Sequence, residues 1–227
     1  MLAVTMTDTI PIQPAATVVL LREGRGAPEV LLLRRNSKLA FHGGAWVFPG
    51  GRLDAQAGES DDDTGARRAA AREAQEEAGL DLDPGAFVQL SHWTTPEGQP
   101  RRFATWFYVA AIGRSEVRID GGEIHDHRWF SADAALAAQR AGEIELPPPT
   151  FVTLSMLAAH RTPREAIERA AAARPIVYLP RIVRGAACAA SLYPGDAGWE
   201  SRDAEIPGAR HRLLFLDDGW RYLRESG

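Results

Sequence analysis

Apolar residues along this chain fall into short runs broken by polar stretches rich in glycine and proline, a rhythm of strands and short helices rather than long ones. Residues 15–21 and 30–35 are Val- and Leu-rich runs on either side of Arg22-Glu23-Gly24-Arg25-Gly26-Ala27-Pro28, and read as an antiparallel strand pair. Residues 86–93 and 102–111 read as further strands, the second carrying Phe103, Trp106, Phe107 and Tyr108, with a Pro- and Gly-bearing turn at 95–100 between them. Residues 128–130 make a last short strand, and Ser131 is placed to cap a helix running through Ala141. Residues 64–78 are Ala, Arg and Glu with no breaker after Gly65, so they read as a helix that Gly79 terminates. Strands around such a helix fit a mixed sheet sandwiched between helices, an α+β architecture.

Past Pro147-Pro148-Pro149 the texture changes. Residues 150–160 and 163–173 read as two short helices, the second opened by Pro163. Residues 176–183 and 211–216 are strand-like, and 194–207 is a polar, Gly-containing loop. The tail after the proline triplet is short for an independent core, so the expectation is one domain over 15–227, with a core at about 15–145 and an extension at about 146–227 that contains helices and strands. Residues 1–14 are expected to be a flexible lead-in, with neither the basic start nor the apolar centre of a signal peptide.

The helix at 64–78 holds the most informative chemistry. Glu73, Glu76 and Glu77 share an arc of roughly 100° on a helical wheel. Bare, the three repel one another, whereas a hard divalent cation turns that repulsion into coordination. Arg72 lies beside Glu76 on the wheel and is placed to orient a carboxylate. A Glu-rich helix is most often a solvated face. Here it follows a Phe48-Pro49-Gly50-Gly51 turn and ends in Gly79-Leu80, which sets it apart.

Composition narrows the partners. Of 227 residues, 45% are hydrophobic and 25% charged, ordinary for a globular protein, and the net charge of -4 supplies no basic surface for nucleic acid. No segment approaches the ~20 apolar residues of a membrane helix. The single cysteine, Cys188, has no internal disulfide partner and sits among alanines as a small core residue, which suits a reducing cytoplasm.

Taken with the glycine turn, Arg72-Glu73-Ala74-Gln75-Glu76-Glu77-Ala78-Gly79-Leu80 resembles the Nudix box, whose pattern is Gly, five residues, Glu, seven residues, then Arg-Glu-apolar-any-Glu-Glu-any-Gly-apolar. The second half matches at every fixed position. Gly51 and Arg72 stand twenty-one positions apart, about seven more than the pattern, so residues 56–65 carry an insertion. A gapped reading puts Glu59 at the first Glu of the box; an ungapped one puts Thr64 there. The acidic, glycine-containing stretch favours the gap, because a surface loop tolerates it.

The resemblance implies a Nudix fold, and hydrolysis of a nucleoside diphosphate linked to another moiety with Mg2+ or Mn2+. It implies Glu73 and Glu77 as metal ligands, Glu76 as ligand or base, a main-chain carbonyl near Gly50-Gly51 completing the set, and Arg72 orienting it. Glu59, Gly50, Gly51 and Gly79 are the structural members of the box. Family members take the general base from the helix or from a later loop, where Glu123 stands. His125-Asp126-His127 reads as a polar strand edge, and Trp46, Trp93, Trp106 and Trp129 as core. Arg35, Gly44 and Phe48-Pro49-Gly50-Gly51 fit a signature of coenzyme A diphosphatases, while Leu33, Asn36 and Ala40 depart from it. The insertion and Leu146-Pro147-Pro148-Pro149-Thr150-Phe151 resemble the larger branch that includes acyl-coenzyme A diphosphatases. That branch implies phosphate contacts from Arg34 and Arg35 and coenzyme A or acyl-coenzyme A as substrate. The alternatives are ADP-ribose, nucleotide sugars or dinucleotides, or a non-catalytic nucleotide-binding regulator. A small-molecule nucleoside diphosphate derivative is thus the expected partner, and a homodimer is compatible with the apolar 102–111 strand.

Overall fold

The protein is described by a computed structural model covering residues 10–38 and 43–225; Ala40 and the first nine residues of the expected lead-in lie outside it. Strands β1 (Ile12–Arg22), β2 (Glu29–Arg35), β3 (Trp46–Val47) and β4 (Gly50–Arg52) precede helix α1 (Asp63–Ala78). Then come β5 (Val88–Thr94), β6 (Arg102–Ala111), β7 (Ile124–Ser131), α2 (Ala132–Arg140), α3 (Pro148–Leu157) and α4 (Pro163–Ala172). The chain finishes with β8 (Ile176–Tyr178), β9 (Arg181–Arg184), β10 (Ala189–Leu192), β11 (Arg210–Leu216) and β12 (Gly219–Glu225).

The eight-stranded mixed sheet runs β3-β2-β1-β6-β5-β8, with β4 also on β1 and β7 also on β2. β1 pairs in parallel with β6 along its length but touches β2 only at Leu21–Val30 and Arg22–Glu29. The two strands therefore diverge, and the 46–52 turn fills the opening, pairing with β1 at Ala15–Thr17 and β2 at Leu33–Arg34. β1 starts at Ile12, not at residue 15, because Ile12–Pro14 pair with Arg102–Ala104. Its side chains alternate between two cores: Val18 and Leu20 face α1, while Val19 and Leu21 face the opposite side with Phe151 and Leu154 of α3. That two-sided burial is why the run is continuously apolar.

α1 lies close on the sheet because its inner stripe is alanine: Ala66, Ala69, Ala70, Ala74 and Ala78 are all fully buried. Asp62 caps its start by accepting from the Gly65 N–H at 2.8 Å. Gly79, at φ 68°, ends it in the left-handed conformation with its N–H turned back to Ala74 and Gln75. The helix start and stop that fix the position of the carboxylates are thus both local.

The C-terminal addition holds more strand than the sequence indicates. Residues 176–183 break at Leu179-Pro180: β8 extends the main sheet alongside β5, and β9 begins a four-stranded antiparallel sheet, β9-β10-β11-β12. Its Tyr193 and Leu213 share the core formed by Trp93, Phe107 and α3. Cys188 is only half-buried, in the turn ahead of β10, and not a core residue.

Candidate active site

Between α1 and the glycine turn, backbone and carboxylate nearly touch. A Cβ on Gly50 would collide with the Ala16 carbonyl and Thr17, and one on Gly51 with the Glu73 carboxylate, so a side chain at 50 meets fixed backbone and one at 51 displaces Glu73. The Gly50 N–H donates to Glu77 Oε2 at 3.0 Å. Glu77 is only 5% exposed, and its burial raises the carboxyl to about 8, with the neighbouring Glu73 charge adding to the effect against the Gly50 hydrogen bond. Burial raises the Glu73 carboxyl too, against the pull of Arg72.

Arg72 organises the rest. Its Nη1 donates to Glu73 at 3.0 Å and Glu76 at 2.9 Å, its Nη2 to the Arg52 carbonyl at 3.0 Å, and its Nε and Nη2 grip Glu59 at 2.8 and 3.1 Å. Glu59 also accepts from the Asp54 N–H at 2.7 Å. Burial alone would raise the Glu59 carboxyl, but these bonds together hold it below the ordinary range. The insertion therefore loops out and returns Glu59, rather than Thr64, to Arg72; Thr64 lies in the first turn of α1.

The structure brings Glu123 and separates the two arginines. Glu123 reaches Arg35 Nη2 at 3.7 Å, and its charge acts on both Glu73 and Glu77. Asp120, not singled out from sequence, accepts from the backbone N–H groups of Gly122, Glu123 and Ile124 at 3.2, 2.8 and 2.9 Å, while the Asn36 side chain donates to the Gly122 carbonyl at 3.0 Å. The Asp-Gly-Gly spelling of 120–122 was the available signal. Arg35 faces the site, and its buried Nε has no hydrogen-bond partner among the described atoms. Arg34, its neighbour on β2, points to the opposite face of the strand and lines a separate depression with Trp46 and Gln139. The two arginines expected together at the phosphates thus line different depressions.

These groups stand in a cleft of about 1470 Å³ that continues past β6 to Pro147–Thr150 and the C-terminal sheet. Trp46 and Trp93 are core as expected, each 3% exposed. Trp106 and Trp129 are half-buried, hydrogen-bonded to Asp61 and covered by Arg22 respectively. Asp126 caps the His127 N–H at 2.8 Å on β7.

A model of the NUDIX domain matches residues 11–148. The chain belongs to the NUDIX family. This Nudix hydrolase is 28% identical over 204 residues to a provisionally named nudix hydrolase 7 of Caenorhabditis elegans, covering 74% of this chain and 68% of that one. It is 24% identical over 151 residues to the acyl-coenzyme A diphosphatase NUDT19 of Xenopus laevis, covering 63% and 39% of the two chains. Against the NAD-capped RNA hydrolase NudC of Actinobacillus succinogenes it is 26% identical over 149 residues, covering 66% and 49%. It thus spans less than half of the latter two. The crystal structure of a NUDIX hydrolase from Alicyclobacillus acidocaldarius aligns at a TM-score of 0.66 and 26% identity, over 70% of this chain and 96% of that one. Among the described residues no helix is long and apolar enough to cross a membrane.

Nudix hydrolases use divalent metal ions, and the donor chemistry here suits one. Among the described residues no three acidic, imidazole or thiol groups stand ready around a common point; Arg72 draws Glu73 and Glu76 onto itself. Yet the buried Glu77 and the half-buried Glu73, both kept less acidic than normal, stand with further carboxylate and backbone oxygens nearby as a hard-oxygen environment.

Proposed function

We propose that this Nudix hydrolase cleaves the pyrophosphate bond of a nucleoside-diphosphate-linked small molecule with Mg2+ or Mn2+, and that its leading substrate is coenzyme A or an acyl-coenzyme A. The observation that carries the reaction is the burial of Glu77 beside Glu73 against the Gly50-Gly51 turn, at one end of an open cleft. Glu73 and Glu77, with Glu76 and a carbonyl of the glycine turn, would hold the metal. When bound, it would offset the pyrophosphate charge and acidify the attacking water.

The remaining work falls to side chains. Attack by water on one phosphorus breaks the bridging P–O bond, leaves two phosphomonoesters and releases one proton. Asp54 and Asp120 also line the cleft but accept from backbone N–H groups, whereas Glu76 and Glu123 are exposed and Glu123 is set on a braced loop, so these two are the candidate acceptors. Arg35, with its free Nε, is placed to receive a phosphoryl oxygen. Arg72 keeps the acidic helix face in position through Glu59 and Arg52.

Support for coenzyme A comes from Arg35, Gly44 and Phe48-Pro49-Gly50-Gly51, from the Leu146–Phe151 segment, and from the similarity to NUDT19. The similarity to NudC favours a dinucleotide at equal strength. Turnover of coenzyme A, acyl-coenzyme A, ADP-ribose, nucleotide sugars and NADH, each with Mg2+, Mn2+ or chelator and with products identified by mass spectrometry, tests both levels. Metal-dependent formation of 3′,5′-ADP and a phosphopantetheine supports coenzyme A. Preference for another substrate keeps the reaction and discards the assignment, and silence from folded, metal-loaded protein discards the reaction.

A further inference from the structure

The two ends of the cleft differ in charge. At the end formed by β2, β4 and α1, the walls carry the carboxylates of Glu73, Glu76 and Glu77 and the cations Arg35 and Arg72. The sheet order places β5 and β8 on the other side of β1 and β6. At that far end the lining drawn from the β5–β6 hairpin, Pro147–Thr150 and the C-terminal sheet has one charged side chain, the exposed Arg101. Its other polar groups are neutral hydroxyls and amides, and its apolar ones are proline, isoleucine, phenylalanine and Trp93.

Two of those hydroxyls belong to β10 and the residue after it. Ser191 is 2% exposed and Tyr193 is fully buried, and the Tyr193 hydroxyl, beside Ser191, makes no hydrogen bond of normal geometry among the described atoms. Tyr193 is held rigidly. Its ring packs edge-on to Trp93 and Tyr178, at 5.5 and 5.0 Å between centroids, and its N–H donates to the His211 carbonyl at 2.9 Å. Ile182, directly across from Ser191, is 54% exposed at the rim of the same cleft. A buried hydroxyl without a well-placed partner at the cleft floor lacks something that a ligand would provide, and Ile182 gives the rim beside it an apolar surface.

We infer that the C-terminal addition is the wall that recognises the part of the substrate beyond the diphosphate, and that it takes an uncharged, amide-linked arm, with Tyr193 and Ser191 as polar anchor and Ile182 and Pro180 as apolar rim. The inference rests on the pyrophosphohydrolase reading and deepens it. An arm of alternating amides and methylenes presents acceptors to hydroxyls and carbon to proline and isoleucine. A second phosphate or a carboxylate on that arm would find one cation in this lining, the exposed Arg101, in place of Arg35 and Arg72 at the other end. The wall also lies beyond residue 148, where the match to the family model ends.

Ile182→Asp and Tyr193→Phe test it, the first placing a charge on an exposed rim and the second removing only the hydroxyl. For each variant, kcat/KM is measured for coenzyme A and for ADP-ribose, with dephospho-coenzyme A alongside, which shares the ADP half of ADP-ribose and differs from it only in the arm. The expected result is a fall in the coenzyme A to ADP-ribose ratio of about tenfold for Ile182→Asp and about threefold for Tyr193→Phe, carried by KM. Equal losses on both substrates place the ADP half at this wall and overturn the inference, as does an unchanged ratio. If the wild-type protein cleaves neither substrate, the reaction proposal fails on its own. Calorimetric titration of coenzyme A into Glu77→Gln protein, with and without Ile182→Asp, then reads the wall separately: a tenfold weaker Kd upholds it, and equal or absent binding overturns it.

Discussion

Arg72 and Glu59 form a two-point ion pair, Nε to Oε1 at 2.8 Å and Nη2 to Oε2 at 3.1 Å, with the Glu59 side chain 3% exposed. The contact spans the insertion at 56–65 and ties the glycine turn to the acidic helix. Glu59→Gln leaves Arg72 with an incomplete partner while it still holds Glu73 and Glu76. The expected cost is about 2–3 kcal/mol, read from the urea midpoint, because one member of a largely buried pair is neutralised. A Thr64→Ala protein, changed at the ungapped alternative, is expected to stay within about 0.5 kcal/mol of wild type.

Glu77→Gln keeps the size of the side chain and an acceptor for the Gly50 N–H. Turnover is expected to fall at least about 10²-fold, the scale of a positioned catalytic group, with the circular dichroism spectrum preserved. Turnover equal to wild type would remove Glu77 from the site. Comparing Glu76→Gln with Glu123→Gln by their pH–rate profiles identifies the proton acceptor, since loss of the base also removes the acidic limb.

Metal-free protein should lose stability as pH rises. Glu77 titrates near 8 in the folded chain against an ordinary 4.5, so between those values the native state holds a proton that the unfolded state has released. Stability is then fully present below about 4.5 and declines through 8. Glu73, also raised by burial, acts in the same direction. Thermal melts in chelator from pH 5 to 9 should show a falling Tm, and Mg2+ should restore most of it at the alkaline end. A flat or rising Tm in chelator contradicts the burial argument.

Gly50→Ala and Gly51→Ala should separate fold from chemistry. The new methyl at 50 meets the Ala16 backbone, which cannot give way, and is expected to cost about 1–3 kcal/mol. At 51 it meets only the end of the Glu73 side chain, which can swing aside. Activity should fall there with a smaller loss of stability, measured by parallel urea titration and turnover.

The C-terminal sheet has its own clamp. Asp196 is fully buried and binds Arg212 through both oxygens at 2.6 and 2.7 Å, while also accepting from His211 N at 2.9 Å. Asp196→Asn breaks the charge match inside the fold, at an expected cost of about 3–5 kcal/mol. Limited proteolysis should then cut first within 194–207; cleavage at the same rate as wild type contradicts the clamp.

Local chemistry made much of this protein readable from its residues. The start and stop of α1, the arc shared by Glu73, Glu76 and Glu77, the Ser131 cap and the glycine turn are settled by neighbours within a few positions, through backbone geometry and helical period. The α+β architecture followed, because continuous apolar runs around an alanine-striped helix have few ways to be buried. Long-range contacts decided the rest. Only the folded chain returns Glu59 to Arg72 across an insertion, since loop length says little about where a loop's ends meet. Strand alternation sends Arg34 away and Arg35 inward, and which face is inward depends on what packs there. β10, four residues long, and β12, polar along an exposed edge, have no pattern of their own and exist because β11 pairs with both. For the same reason the wall bearing Ser191 and Tyr193 could not be read in advance: its residues face the cleft only once a second sheet has docked against Trp93 and β5.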